Sequence, residues 1–247
     1  MINKSTVKYI QSLSTKKFRD EEGAFVAEGP KLVKELITDN IFKCESVFCT
    51  QKGAVEIPKN LAERLGDKIN MVEDFELDKI SSLKTANNML AVFKKKPAID
   101  HPDFADKLTL VLDDIQDPGN LGTIIRIADW FGIENIFCSA STADCYNTKV
   151  VQSTMASLGR VNMIYGSIKT LFSENESIKK YAAVLGGDDV KDFGKIMEGF
   201  IIIGNESKGI SEEIIHFAAE RISINKKGNA ESLNAAVAAG IILFSVV

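Results

Sequence analysis

Three times in its last 140 or so residues the chain runs from an apolar stretch into a loop of small and polar residues, and then into a helical pattern. The stretches are LTLVLDDIQDPGNLGTIIRIADWFG, GFIIIGNESKGISEEIIHFAAE and RISINKKGNAESLNAAVAAGIILF. Strand, glycine-bearing loop and helix in that order build an open α/β sheet, and their loops gather at one sheet edge, where such sheets bind ligands. The ligand site is therefore expected at the loops after residues 108–112, 200–203 and 221–224.

Other apolar runs at residues 135–138, 161–164 and 181–185 continue the alternation. Helical patterns fall at 121–131, 149–158, 167–173, 212–218 and 232–244. Near-continuous apolar strands separated by helices indicate a parallel sheet covered on both faces. Upstream, a smaller alternation occupies residues 1–95, with strands expected at 24–29, 46–49, 69–72 and 88–93. A helix opens at Gly29-Pro30, where proline suits the first turn. Between the two lies KKKPAIDHPDFADK, with two prolines and no sustained apolar period. The expected organisation is a small α/β domain at 1–95, a linker at 96–107 and a parallel-sheet domain at 108–247.

Charge is unevenly spread. The formal net charge is −4, yet residues 1–96 carry 17 Lys/Arg against 14 Asp/Glu, leaving 13 against 20 for the rest. A negative total does not advertise nucleic-acid binding, so any such role falls first to the N-terminal part and its cluster Lys16, Lys17 and Arg19. A solvated charge run is the alternative for that cluster. Cys44, Cys49, Cys138 and Cys145 form no CxxC pair, and the two histidines, His101 and His216, sit at no ligand spacing from them. No metal is expected, and the cysteines read as free thiols of a reducing, cytoplasmic compartment. The N-terminus lacks an apolar signal region. The apolar C-terminal run contains Asn234 and is shorter than the ~20 residues of a membrane span, so it reads as a buried helix.

The loops are informative by what they lack. Neither matches GxGxxG or a phosphate loop ending in GK[ST], which disfavours a dinucleotide or a nucleoside triphosphate. Gly119, Gly122, Gly204, Gly209 and Gly228 flank strand ends, where they serve either tight turns or close ligand approach. Arg126 falls on a largely apolar helix beside a ligand loop. It needs an anionic partner, either a ligand or a neighbouring carboxylate such as Asp113 or Asp129. Ser232 reads as an N-cap of the last helix or as a ligand contact.

The segments DPGNLGTIIRIA, IIIGNESKGIS and ISINKKGNAESLNAAVA, in that order and at about this spacing, resemble the motifs of the SPOUT, or trefoil-knot, RNA methyltransferases. The resemblance is to the TrmH/SpoU-type branch, which methylates ribose 2′-hydroxyls. It implies a deep trefoil knot in the catalytic domain, despite the rarity of knots. It also implies a homodimer paired through that domain, and S-adenosylmethionine as cofactor. Gly204, Ile224 and Leu233 match cofactor-binding positions, with Ile203, Asn205 and Gly209 beside them. Arg126, Asn120, Glu206, Ser232 and Asn234 become the catalytic set. The N-terminal part is similar to a ribosomal-protein RNA-binding fold, found in these enzymes as a substrate-binding extension, which points to ribosomal RNA of the 23S type. Three positions depart from the pattern: Asn225 where proline is common, Gln152 where arginine is frequent, and Ala156 where glycine is usual.

The expected activity is thus S-adenosylmethionine-dependent RNA ribose 2′-O-methylation, with transfer RNA as the alternative substrate. Two rivals belong to other classes. One is a non-catalytic RNA-binding protein that kept the fold; the other is a small-molecule enzyme, which NAD or ATP binding without RNA affinity would reveal.

Overall fold

Six runs of the C-terminal part pair in register as one all-parallel sheet. The computed structural model describes residues 2–99 and 101–247. The chain forms two compact units, Met1–Pro97 together with Tyr146–Gly159, and Ala98–Cys145 together with Arg160–Val247.

The first unit contains α1 (Lys4–Ser12), α2 (Lys16–Glu22), β1 (Ala24–Glu28), α3 (Pro30–Thr38) and β2 (Cys44–Cys49). It continues with α4 (Gln51–Val55), α5 (Lys59–Leu65), β3 (Ile69–Met71), α6 (Asp74–Ile80) and β4 (Met89–Lys94). Its sheet order is β1-β4-β2-β3. β4 pairs antiparallel with both neighbours, and β2 pairs parallel with β3. β1 is buried along its whole length, and Phe25 stacks on Phe93 of β4 at 5.6 Å.

α2 and α4 were not legible as helices. The basic cluster lies on α2, and its three members differ. Lys16 and Lys17 are exposed, Lys17 standing 3.8 Å from Glu21 one turn on. Arg19 is only 2% exposed and donates from Nη1 to the carbonyls of Leu13 and Ser14, each at 2.8 Å. Those carbonyls end α1 without intrahelical partners, so the guanidinium is an internal cap. The expectation that Arg19 meets RNA phosphate is corrected: its charge is spent inside the fold.

The second unit contains β5 (Leu108–Asp113), α7 (Pro118–Trp130), β6 (Asn135–Ser139), β7 (Asn162–Gly166), α9 (Ile168–Glu174) and β8 (Lys180–Asp189). β9 (Gly199–Gly204), α10 (Glu212–Ile215), β10 (Glu220–Ser223) and α11 (Ala235–Val246) complete it. The remaining helix, α8 (Thr148–Thr154), belongs to the first unit. The sheet order is β10-β8-β9-β5-β6-β7, every pair parallel. Central β5 is buried throughout, the pattern its unbroken apolar run required. One face packs Phe200 against Phe172 and Phe104, at 5.6 and 5.4 Å.

The pattern at 149–158 suggested another helix of the parallel-sheet domain. In the structure the helix is shorter, and its buried Val150, Val151 and Thr154 go with β1 of the first unit. The Tyr146 ring lies 4.9 Å from that of Phe25, and Lys96 Nζ donates to the Gly159 carbonyl at 2.6 Å. After α8, Met155 and Ala156 both have positive φ, 49° and 71°. Ala156 is where the resemblance leads one to look for glycine, and the backbone shows why glycine suits it.

Candidate active site

Since every strand of the second unit points the same way, the loops after β5, β9 and β10 emerge at one edge. A cavity of about 960 Å³ opens there. It is lined by Ile203, Gly204, Asn205, Glu206 and Gly209 from the second loop, and by Ile224, Ser232 and Leu233 from the third.

The second loop folds tightly on itself. Asn205 N donates to the Gly209 carbonyl at 3.0 Å, and Gly209 N returns a bond to the Asn205 carbonyl at 2.8 Å. A Cβ on Gly204 would sit 2.3 Å from Gly209 C and Ile210 N, so only glycine permits this closure. The Asn205 side chain is engaged structurally: Nδ2 donates to the Asp114 carbonyl at 2.9 Å, and Oδ1 accepts from Ser207 N and Lys208 N. What Asn205 and Gly209 offer a ligand is therefore backbone.

Asn120, Glu206 and Asn234 come together from the three motifs. Asn120 lies in the first turn of α7, its amide held by the N-cap Asp117 at 2.9 Å. Its Nδ2 donates to Glu206 Oε1, and its Oδ1 accepts from Asn234 Nδ2 at 2.8 Å. Asn234 Oδ1 in turn accepts from Ala236 N and Val237 N, at 3.0 and 3.3 Å, and so caps α11. Both amide orientations follow from this network. Glu206 thus holds the Asn120 side chain.

Ser232 does not cap the last helix, which begins at Ala235 with Asn234 as its N-cap. Its side chain is exposed at the cavity and has no hydrogen-bond partner among the described residues. Arg126 is exposed on α7, six residues beyond Asn120, about 9 Å along the helix and on another face. It does not line the cavity. The two carboxylates that might have neutralised it are occupied: Asp129 takes Arg160 Nε at 2.9 Å, and Asp113 Oδ2 takes Ser211 N at 2.8 Å. Among the described residues no hydrogen bond or ion pair engages its guanidinium. Lys16 and Lys17 lie in the first unit.

Sequence reasoning expected a strand at 181–185 but missed that Ala183, Val184 and Leu185 of β8 also line the cavity. The signal was GlyGly at 186–187 inside a strand pattern, which marks a bulge. Among the described residues no group of three or more His, Cys, Asp or Glu side chains could hold a metal ion, and no helix is long and apolar enough to cross a membrane.

A parallel sheet with a loop-built cavity at its carboxyl edge, and a fixed polar relay beside it, defines an α/β enzyme that binds a nucleotide-sized cofactor. Residues 107–244 match the SpoU rRNA Methylase family, and the chain belongs to it. Residues 4–91 match the MRM3-like substrate binding domain. The chain is 28% identical to the 23S rRNA (guanosine(2553)-2′-O)-methyltransferase RlmP of Bacillus subtilis, over 96% of this chain and 94% of that protein. It is also similar to a TrmH-family structure from Porphyromonas gingivalis, with 33% identity, TM-score 0.85, and 99% and 98% of the two chains covered. The AdoMet-bound rRNA methyltransferase of Sinorhizobium meliloti shares 28% identity at TM-score 0.85, with 99% and 95% covered.

Proposed function

We propose that the chain is an S-adenosylmethionine-dependent ribose 2′-O-methyltransferase acting on ribosomal RNA of the 23S type. The observation that carries this reading is the junction of Asn120, Glu206 and Asn234 at the cavity, in a chain of the SpoU rRNA Methylase family. The 2′-O-methylation named for the Bacillus relative and the AdoMet of the Sinorhizobium structure supply the reaction and the cofactor.

The cavity suits that cofactor. Its volume is near the upper end of the ~300–1,000 Å³ typical of small-molecule sites. Ile203, Ile224 and Leu233 offer apolar surface to a heterocycle, and the carboxylates of Glu206 and Glu231 favour a cationic sulfonium. Gly204, Asn205 and Gly209 contribute backbone groups.

When bound, the cofactor supplies an electrophilic methyl group on sulfur. The protein's task is alignment of the accepting oxygen with that carbon. Asn120, locked by Glu206 and Asn234, is the rigid polar group that orients the reacting end, and Ser232 is a free hydroxyl for a substrate contact. Arg126 grips RNA phosphate. A guanidinium is a cation and a poor general base, so the 2′-hydroxyl proton leaves to a phosphate oxygen or solvent. Lys16 and Lys17 give the first unit phosphate contacts without base preference.

The homodimer belongs to the same reading. α11 is apolar all round, yet Val237 and Phe244 are exposed, 50% and 78%, and Trp130 at the end of neighbouring α7 is 84% exposed. A second copy would cover that face. The trefoil threading and a cytoplasmic location accompany the family assignment. Calorimetric titration with S-adenosylmethionine tests the cofactor reading: micromolar binding supports it, whereas binding of NAD or ATP in its place would sink it.

A further inference from the structure

Another cavity, of about 180 Å³, opens within the first unit between α1, α6 and the start of α8. Ile10, Val26 and Ile80, none more than 4% exposed, form its floor, and Lys79, Ser82 and Thr148 stand on its rim. It is smaller than the ~300–1,000 Å³ that holds a whole small-molecule ligand, and it suits one flat heterocycle.

Glu28, at the end of β1, also lines the cavity and is only 4% exposed. Its carboxylate is held by neutral donors alone. Oε1 accepts from Ser82 N at 2.8 Å and from Ser82 Oγ at 2.6 Å, and Oε2 accepts from Ser81 Oγ at 2.6 Å. Among the described residues no lysine or arginine pairs with it. A buried carboxylate without a cation is costly. Three of its roughly four acceptor positions are filled, and the one left, on Oε2, suits a donor that enters the cavity.

The surroundings fit RNA. Ser14, on the same rim, closely precedes the exposed Lys16 and Lys17 of α2. On α6 the Lys79 ammonium lies 4.8 Å over the ring of Phe75, which is 54% exposed. An exposed aromatic beside a cation is a stacking place for a base adjoining the one in the cavity. Asp74 and Asp78 lie one residue round the helix from that pair, so the phosphates fall on the α1–α2 side, at Lys16 and Lys17.

We propose that this cavity takes one unpaired RNA base carrying an exocyclic amine, with Glu28 as the specificity-determining acceptor. This rests on the ribosomal RNA reading, and it adds a base contact to phosphate contacts that carry no sequence information. Adenine, cytosine and guanine can offer an amino group to the carboxylate. Uracil flanks its one ring N–H with carbonyl oxygens, which a carboxylate repels.

The test measures binding of the full-length chain to four labelled single-stranded RNAs, short oligouridines with A, C, G or U at the central position, over a range of salt. Wild type should bind the three amino-bearing strands about tenfold more tightly than the uridine strand. Glu28→Gln leaves Oε1 to accept from Ser82 and places an amide donor at Oε2, so the four strands should come within about twofold of one another. Thr148→Leu crowds the rim and should weaken the three to the level of the uridine strand, with a melting temperature within about 2 °C of wild type. The slope of log affinity against log salt should be unchanged in both variants, since a base contact releases no counterions. Equal affinity of wild type for all four strands, a preference that survives Glu28→Gln, or an unaffected Thr148→Leu would each overturn the proposal. If Glu28→Gln fails to fold, Thr148→Leu decides alone. Wild type that bound unmodified ribosomal RNA but none of the strands would overturn the base pocket alone, whereas failure to bind either would remove the ribosomal RNA reading as well.

Discussion

Asn234 and Asn120, 114 positions apart in the chain, are joined by a 2.8 Å hydrogen bond from Nδ2 to Oδ1. The bond ties the N-terminus of α11 to the first turn of α7 and fixes which way the Asn120 amide points. Asn234 thus has two separable duties, since its Oδ1 caps α11 and its Nδ2 serves the site.

Asn234→Asp separates them. A carboxylate caps a helix as well as an amide does, but it cannot donate to Asn120. The expected outcome is a melting temperature near wild type with methyl transfer reduced at least tenfold. Asn234→Ala should lose both, with about 1 kcal/mol of stability gone. Equal transfer by wild type and Asn234→Asp would remove the relay from the mechanism.

Arg126→Ala should lower transfer by at least a hundredfold while S-adenosylmethionine affinity stays within about twofold, because the guanidinium stands away from the cavity and engages no protein group. Calorimetry and single-turnover transfer on the same sample check this. A parallel loss of cofactor affinity would show that the arginine serves the cofactor side.

The basic cluster divides by burial. Lys16→Ala and Lys17→Ala should each weaken RNA binding and flatten the slope of log affinity against log salt by about 0.7–0.9. Arg19→Ala should act on folding instead, costing about 2–4 kcal/mol by unpairing the buried Leu13 carbonyl and the part-buried Ser14 carbonyl. Salt-dependent binding and denaturant melts of the three variants distinguish these effects.

All four cysteines are buried and outside any disulfide, and burial pushes the Cys44 thiol up to about 11 and that of Cys138 well above its usual value. The thiolate is the reactive form, so it is scarce at neutral pH. Alkylation by iodoacetamide at pH 8 should run at least tenfold slower on native than on denatured chain. Rapid labelling of any one cysteine in the native state would contradict the burial assigned here.

The sheet was legible because its signals are local. Unbroken runs such as Phe200–Ile203 and loops opened by glycine name parallel strands and their ligand edge without any knowledge of packing. The three motifs likewise placed Asn120, Glu206 and Asn234 at one site. Arg19 was misread because its burial depends on where α1 ends, which spacing does not reveal. Ser232 stayed open between N-cap and ligand contact because two good capping residues stand two apart and only the backbone chooses Asn234. The β8 bulge was hidden because periodicity assigns strand residues but not their partners, so the jump from Ala182 to Asp188 along β10 has no local signature beyond two glycines. The placement of α8 with the first unit was hidden for the same reason, since its apolar residues do not say which core they enter.

The measurement that most directly tests the central claim uses methyl-labelled S-adenosylmethionine, the full-length chain and ribosomal RNA lacking its own modifications. A 2′-O-methyl blocks alkaline cleavage at its own nucleotide, so the account predicts label recovered in alkali-resistant dinucleotides, with Asn234→Asp and Arg126→Ala deficient. Label recovered only in mononucleotides would place the methyl on a base and contradict the assignment, and cofactor binding with no transfer to ribosomal RNA would contradict the claim of an rRNA substrate.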